Sequence, residues 1–366
     1  MAIDGWESGS PPGGAAIGPV ACSDWARGQQ LDPVGNAGYY EGFLLVEQPL
    51  PWPFDVATLP DLVEVAALAS SAGLRLQTVM RFPPEGQQGR PKPDGVSAGQ
   101  WAAVEAMPLD GDGDGGGDVD GEVELDLTLG PDGPRRIICY RSARPGWAGP
   151  LVRTECLASP GSLAQEAAAL VNASSPSAGS DDLSSPDADV LVCTHGRRDA
   201  CCGARGIELL NQLVQQASLG VPVRWWRTSH TGGHRFAPTA IVLPAGTLWA
   251  WADPPLLRDV VHAQGDLGPL LRQYRGCATV GSPGAQALER AVLAEVGWDL
   301  FGSPRRAIDL GEGAVRLETE LAGSWEATVR EGRRVPQPDC RTLPELAKKQ
   351  GVEWVVEGLR QVVPAG

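Results

Sequence analysis

Short apolar runs alternate along this chain with polar, Gly- and Pro-rich stretches, and their periods predict interleaved strands and helices. Upstream, Phe43 to Val46 reads as a strand, Leu62 to Ala72 as an amphipathic helix, Leu74 to Phe82 as a strand and Ile137 to Tyr140 as another. Downstream, an apolar run through Val192 precedes helical spacing from about Ala204 to Ala217, with Ile207, Leu210 and Val214 on one face. A strand through Val223 to Trp226 follows, then strands at Thr239 to Leu243 and Leu248 to Trp251 around the turn Pro244-Ala245-Gly246, then a helix from Leu256 to Ala263. Ser282 as N-cap, Pro283 at the first helical position and Gly297 as stop frame a later helix. Val315-x-Leu317 and Trp325-x-Ala327-x-Val329 alternate as a hairpin, and a short helix is expected from Pro344 to Lys349.

Residues 173–189, rich in Ser, Pro and Asp with little to bury, read as a linker. They separate an N-terminal α/β domain over 17–165 from a second domain over 190–300, which a C-terminal extension over 301–366 follows. The βαβ, ββα order of the second domain is that of the thioredoxin fold, with the segments after its first two strands at one end of the sheet. The strand, helix, strand, strand order upstream is compatible with a divergent thioredoxin-like unit, so the fold class is α/β.

Composition narrows the function. A chain of 366 residues with 42% hydrophobic content and 12 Trp can bury more than one core and is not globally disordered. A net charge of -15 disfavours nucleic acid as partner and favours redox partners with a basic docking face. Eight cysteines are too sparse for a disulfide scaffold and fit reduced thiols or metal ligands. No early basic stretch leads into an apolar core, and no apolar run reaches about 18 residues. A cytoplasmic protein outside the membrane is expected.

The densest chemistry lies in LVCTHGRRDACCG (191–203) and SHTGGHRFAPT (229–239), which hold three of the four histidines. Cys193 closes an apolar strand and Cys202 precedes a helix, whose N-terminus favours thiolate charge. His230 and His234 flank Thr231-Gly232-Gly233, glycines that favour a tight loop over a helical turn. Thiolate with neutral imidazole suits zinc, copper(I) or iron-sulfur clusters and not calcium or magnesium.

At these residues the chain resembles the sucrase/ferredoxin-like family, whose ferredoxin part is similar to thioredoxin-like 2Fe-2S ferredoxins. Cys193, His195, Gly196, Arg198, Asp199, Cys202 and Gly203 match the first motif of that family; Ser229, His230, Gly232, Gly233, His234, Arg235, Phe236 and Ala237 match the second. Cys22-Ser23 and Gly42 to Trp52 extend the resemblance upstream. The resemblance implies a 2Fe-2S cluster with Cys193 and Cys202 on one iron and His230 and His234 on the other. Its function would be electron transfer rather than catalysis. Replacing thiolates by imidazoles raises the potential of Rieske centres from about -400 mV to roughly -150 to +300 mV, and each imidazole keeps a nitrogen that can couple redox to protonation. His195, Arg198, Arg235 and Cys201 are expected around the ligands, tuning them. Cys22, Cys139, Cys156, Cys277 and Cys340 show no paired spacing and read as structural thiols.

Zinc is the rival for the same Cys/His set, in a binding or scaffold protein. His-x3-His fits a zinc site, but eight residues between Cys193 and Cys202 and 27 more before His230 are too spread out for an ordinary finger. The family label also suggests sucrose hydrolysis, which needs two placed carboxylates that no recognisable motif supplies. The acidic run Asp110 to Glu122 resembles the start of an EF-hand loop, but the glutamate falls one place late, so a solvated insertion is the better reading.

Overall fold

The computed structural model describes residues 21–82, 133–173, 188–215 and 223–362. The acidic run and all but Ala173, Ala188 and Asp189 of the expected linker lie outside these residues.

Helix α1 (Cys22–Gly28) leads into β1 (Gly42–Glu47), α2 (Val63–Ser71), β2 (Leu74–Phe82), β3 (Arg135–Ser142), β4 (Leu151–Ala158) and α3 (Leu163–Asn172). The same order recurs in β5 (Ala188–Cys193), α4 (Ala200–Gln215), β6 (Val223–Thr228), β7 (Ala240–Leu243), β8 (Thr247–Trp249) and α5 (Pro254–His262). In each set the first two strands are parallel, the third runs antiparallel to the first, and the fourth pairs with the third. Both halves therefore have the thioredoxin-like topology, and the mixed α/β class read from the sequence is the observed one. A single sheet, ordered β4-β3-β1-β2-β6-β5-β7-β8 and closed by a ninth strand, β9 (Tyr274–Cys277), spans both halves. They meet where β2 pairs antiparallel with β6, from Val79 opposite Thr228 to Phe82 opposite Trp225. Strand β9 follows the short α6 (Leu267–Leu270).

Period 2 sorts the central strands into two layers. Leu44 and Val46 of β1 pack with Leu62, Val65 and Ala167 from around α2 and α3, whereas Phe43 and Leu45 join Val79, Leu191, Trp226 and Ile241 in a layer that crosses from one half to the other. Val190 and Val192 of β5 face Leu209 and Leu210 of α4. Strands covered on both faces read as unbroken apolar runs, which is why β1 and β5 stood out in the sequence. One charged network is buried among them. Asp189 accepts from Arg224 Nε at 2.6 Å, from Trp226 Nε1 at 2.7 Å and from the Tyr140 hydroxyl of the other half.

Helix α7 (Pro283–Val296) starts as expected, with the Ser282 side chain accepting from Ala285 N–H at 3.2 Å, and is followed by α8 (Asp299–Gly302). It packs Leu288, Val292 and Leu293 against Leu317, Ala327 and Val329 of an antiparallel sheet made of β10 (Arg305–Gly311), β11 (Ala314–Thr319), β12 (Gly323–Pro336) and β13 (Gln350–Val362). The expected hairpin is present, Leu317 opposite Trp325. The helix expected from Pro344 to Lys349 is not: Pro344–Leu346 makes one 3-10 turn, and Gln350 already pairs with Pro336 of β12. Strand pairing over thirteen residues of β13 outweighs a weak helical signal six residues long. Among the described residues no helix is long and apolar enough to cross a membrane.

Candidate metal centre

Cys193 sits at the buried end of β5, and Cys202 lies in the first turn of α4, which begins at Ala200 and therefore includes the cysteine expected just before it. The helix lies hard against the strand end. A Cβ on Gly206 would fall 2.1 Å from the carbonyl oxygen of Cys193, so only glycine allows this approach. The histidine loop follows β6 and turns through left-handed Gly232 and Gly233 (φ 79° and 65°). Its start is pinned by β2 of the other half: Thr78 N–H donates to Ser229 Oγ (3.1 Å), Ser229 N–H to Thr78 O (2.9 Å), and Arg75 Nη2 to His230 O (3.0 Å). The outcome is that one ligand atom each of Cys193, Cys202 and His230 lies within 4.8 Å of the others.

His234 is placed beside this group rather than in it. Its ring centroid is 6.0 Å from that of His230, while its Nδ1 lies 3.1 Å from Asp199 Oδ2 and 3.5 Å from Cys22 Sγ. His195 receives the His230 N–H on Nδ1 (3.2 Å) and donates from Nε2 to Pro53 O (2.9 Å), so it braces the histidine loop against the N-terminal half. Burial holds its pKa down and keeps that ring neutral. Arg198 turns away, stacking on Phe54 at 4.1 Å and donating to its carbonyl. Arg235 donates to Asn36 Oδ1 at 2.8 Å.

Cys201 corrects the sequence reading of the remaining thiols. It gathers Cys22 and Cys340, both expected to be isolated structural cysteines, around Asp199. Chain separations of 179 and 139 residues hid this group from any reading of spacing. In each group the hydrogen bonds favour the thiolate form of one sulfur over its neighbours. A hydrogen bond from Cys202, helped by His230 and the His195 N–H against the effect of burial, keeps Cys193 well below the ordinary thiol range, and the same bond pushes Cys202 up. Hydrogen bonds with Cys22 and Cys340 bring Cys201 down to about 3, and the reciprocal bonds together with burial raise Cys22.

Beneath the histidine loop lie arginines that the sequence did not flag. Arg275, from β9, is fully buried, and its Nη2 and Cζ would meet a Cβ on Gly233 at 2.7 and 3.0 Å. It donates to Asn36 O, while its Nε and Nη1 have no hydrogen-bond partner among the described residues. Burial and the charges of Arg75 and Arg235 lower it to about 9, against the pull of Cys193 and Cys202. It therefore stays charged at neutral pH, next to the thiolate. His230 Nδ1 is likewise buried and without a partner among the described residues.

Comparison with known proteins agrees with these motifs. Residues 33–276 match the family model described as sucrase/ferredoxin-like. Among curated proteins, altered inheritance of mitochondria protein 32 of Meyerozyma guilliermondii is 30% identical over 94 residues, covering 24% of this chain and 33% of that protein. The chain thus spans about a third of the length of that relative. No solved structure matches.

Proposed function

The chain belongs to the sucrase/ferredoxin-like family, and from that premise and the donor set of the centre we propose a one-electron carrier that binds a 2Fe-2S cluster through Cys193, Cys202, His230 and His234. The observation that carries this reading is the convergence of two buried thiols with His230, whose buried Nδ1 has no hydrogen-bond partner among the described residues, next to a second imidazole. These donors fit the group chemically, since thiolate and imidazole are both iron ligands. When bound, the cluster supplies storage for a single electron at a potential raised by its neutral donors.

The chain's own residues divide the remaining work. The two cysteines are fully buried, while His230 and His234 are partly exposed and form the edge that faces solvent, where a partner docks and protons exchange on imidazole nitrogen. Asp199 holds His234 through Nδ1, which leaves Nε2 as its donor atom; a carboxylate that fixes the ring of a metal-bound histidine also raises its basicity. Arg275 and Arg75 place positive charge under the loop and favour an added electron. The net charge of -15 favours a basic redox partner, and eight free cysteines suit a reducing compartment such as the cytoplasm.

The test is iron and acid-labile sulfide per chain in anaerobically purified protein, with visible spectra before and after dithionite. Iron, sulfide and a red-brown colour that bleaches are expected, and Cys202→Ser or His230→Ala should lose or shift them. A second reading, a single zinc ion on Cys193, Cys202 and His230, is favoured by the packing of those three donors within 4.8 Å. Colourless protein with stoichiometric zinc and no sulfide would select it.

A further inference from the structure

The second thiol group does not enter the reading above, and its chemistry is that of a metal site. Cys22 opens helix α1, Asp199 and Cys201 lie at the start of α4, and Cys340 comes from the segment between β12 and β13, so three distant parts of the chain supply it. The Sγ atoms of Cys22 and Cys201 are 3.7 Å apart, those of Cys22 and Cys340 3.5 Å, and those of Cys201 and Cys340 2.9 Å. Asp199 Oδ1 lies 3.6 Å from Cys22 Sγ and 3.1 Å from Cys340 Sγ. Around a tetrahedral zinc ion with bonds of about 2.3 Å to sulfur and about 2.0 Å to oxygen, donor edges run to about 3.5–3.8 Å. Two sulfur edges and one sulfur-oxygen edge already match. The shorter contacts need only open by less than an ångström.

Charge points the same way. Asp199 is buried, and among the described residues no Arg or Lys pairs with its carboxylate; it takes the N–H groups of Cys201 and Cys340, each at 3.0 Å, and His234 Nδ1. A buried carboxylate beside three cysteines is a concentration of anionic donors on which Arg205 and Arg235 act only by their field, with no direct hydrogen bond among the described residues, and it is costly unless a cation joins it. Thiolates select a soft or borderline ion, zinc before magnesium or calcium. The Ser23 N–H donates to Cys201 sulfur, as outer-shell amides do to zinc-bound thiolates. Cys340 is partly exposed and gives the ion a way in.

We propose that Cys22, Cys201, Cys340 and Asp199 hold a zinc ion, at a site separate from the Cys193, Cys202 and His230 group. The ion clamps the N-terminal helix and the C-terminal extension onto the start of the ligand-bearing helix. Through Asp199 it also fixes the ring of His234.

The full chain, expressed in zinc-supplemented medium, should carry about one zinc besides any iron, with three sulfur neighbours at about 2.3 Å by X-ray absorption. Cys340→Ser should lose most of that zinc while keeping iron and sulfide, with a visible spectrum that shifts at most through His234, and Cys156→Ser should lose none. Stripping the wild type with a chelator and adding Co2+ should produce thiolate-to-cobalt absorption that Cys340→Ser lacks, and this readout holds even where a variant loses stability. Zinc that tracks Cys193→Ser but not Cys340→Ser would overturn the proposal. So would wild-type protein that binds neither zinc nor Co2+, or a Cys201–Cys340 disulfide mapped by mass spectrometry in freshly purified, zinc-free chain.

Discussion

Gly206 shows how closely single atoms set the geometry of the centre. A methyl group there would meet the Cys193 carbonyl at 2.1 Å, so Gly206→Ala must push α4 off the end of β5. Overpacking of this kind costs about 1–3 kcal/mol, and because Cys202 rides on the displaced helix, metal bound per folded chain should also fall; thermal unfolding with metal analysis checks both. Asp189 sets stability instead. Burial would raise its carboxyl, but the hydrogen bonds and charge of Arg224, with Trp226 and Tyr140, outweigh burial and hold it below its usual value. A depressed folded-state pKa means that its contribution is complete above the unfolded value of about 3.9 and disappears as pH falls through the lower folded one. Asp189→Asn leaves Arg224 with only the partly exposed Glu155, at 2.9 Å, as its charge partner and should cost at most about 3–5 kcal/mol at pH 7. Urea midpoints of wild type and variant should differ most at neutral pH and draw together toward pH 3. At this scale, Cys193, Cys202 and His230 were legible because local motifs carry them. Cys22, Cys340, Arg75 and Arg275 were not, because only the folded chain brings them to the site and no period or spacing marks them.

Elements were legible in proportion to how much of their pattern is local. Unbroken apolar runs announced β1 and β5, and a serine cap with proline and a closing glycine framed α7. Strand β4 escaped notice because it exposes much of its length at the sheet edge, where Arg153 and Glu155 break the alternation. The tail misled in the other direction, since β13 draws its order from a partner strand that the sequence does not place beside it. Two elements act on the centre from behind. Strand β2 holds the histidine loop, with Gln77 Oε1 accepting from Thr228 Oγ1 at 2.9 Å, and β9 brings in Arg275. If Arg275 stabilises an added electron on the proposed cluster, Arg275→Gln should lower its midpoint potential in a spectroscopic redox titration, with iron content unchanged. A potential that does not move would remove the arginine from any tuning role.

At the scale of the molecule, one sheet passes through both thioredoxin-like halves, and the Tyr140 hydroxyl reaches across it to Asp189. The C-terminal sheet is attached by a second buried pair, Arg305 Nε to Glu289 Oε1 at 2.7 Å, with Tyr274 hydroxyl on the same carboxylate at 2.8 Å. Residues 188–362 alone would bare the edge of β6, an open template for strand addition, and should elute as oligomers in size-exclusion chromatography; co-expressed residues 21–173 should restore a discrete complex. A monomeric, metal-loaded fragment would show that the seam is dispensable. Joining the two halves in one polypeptide has a consequence for the cell. An encounter that would otherwise weaken on dilution becomes unimolecular, so the half bearing Cys193, Cys202 and His230 meets its support at an effective concentration fixed by the tether, however scarce the protein is.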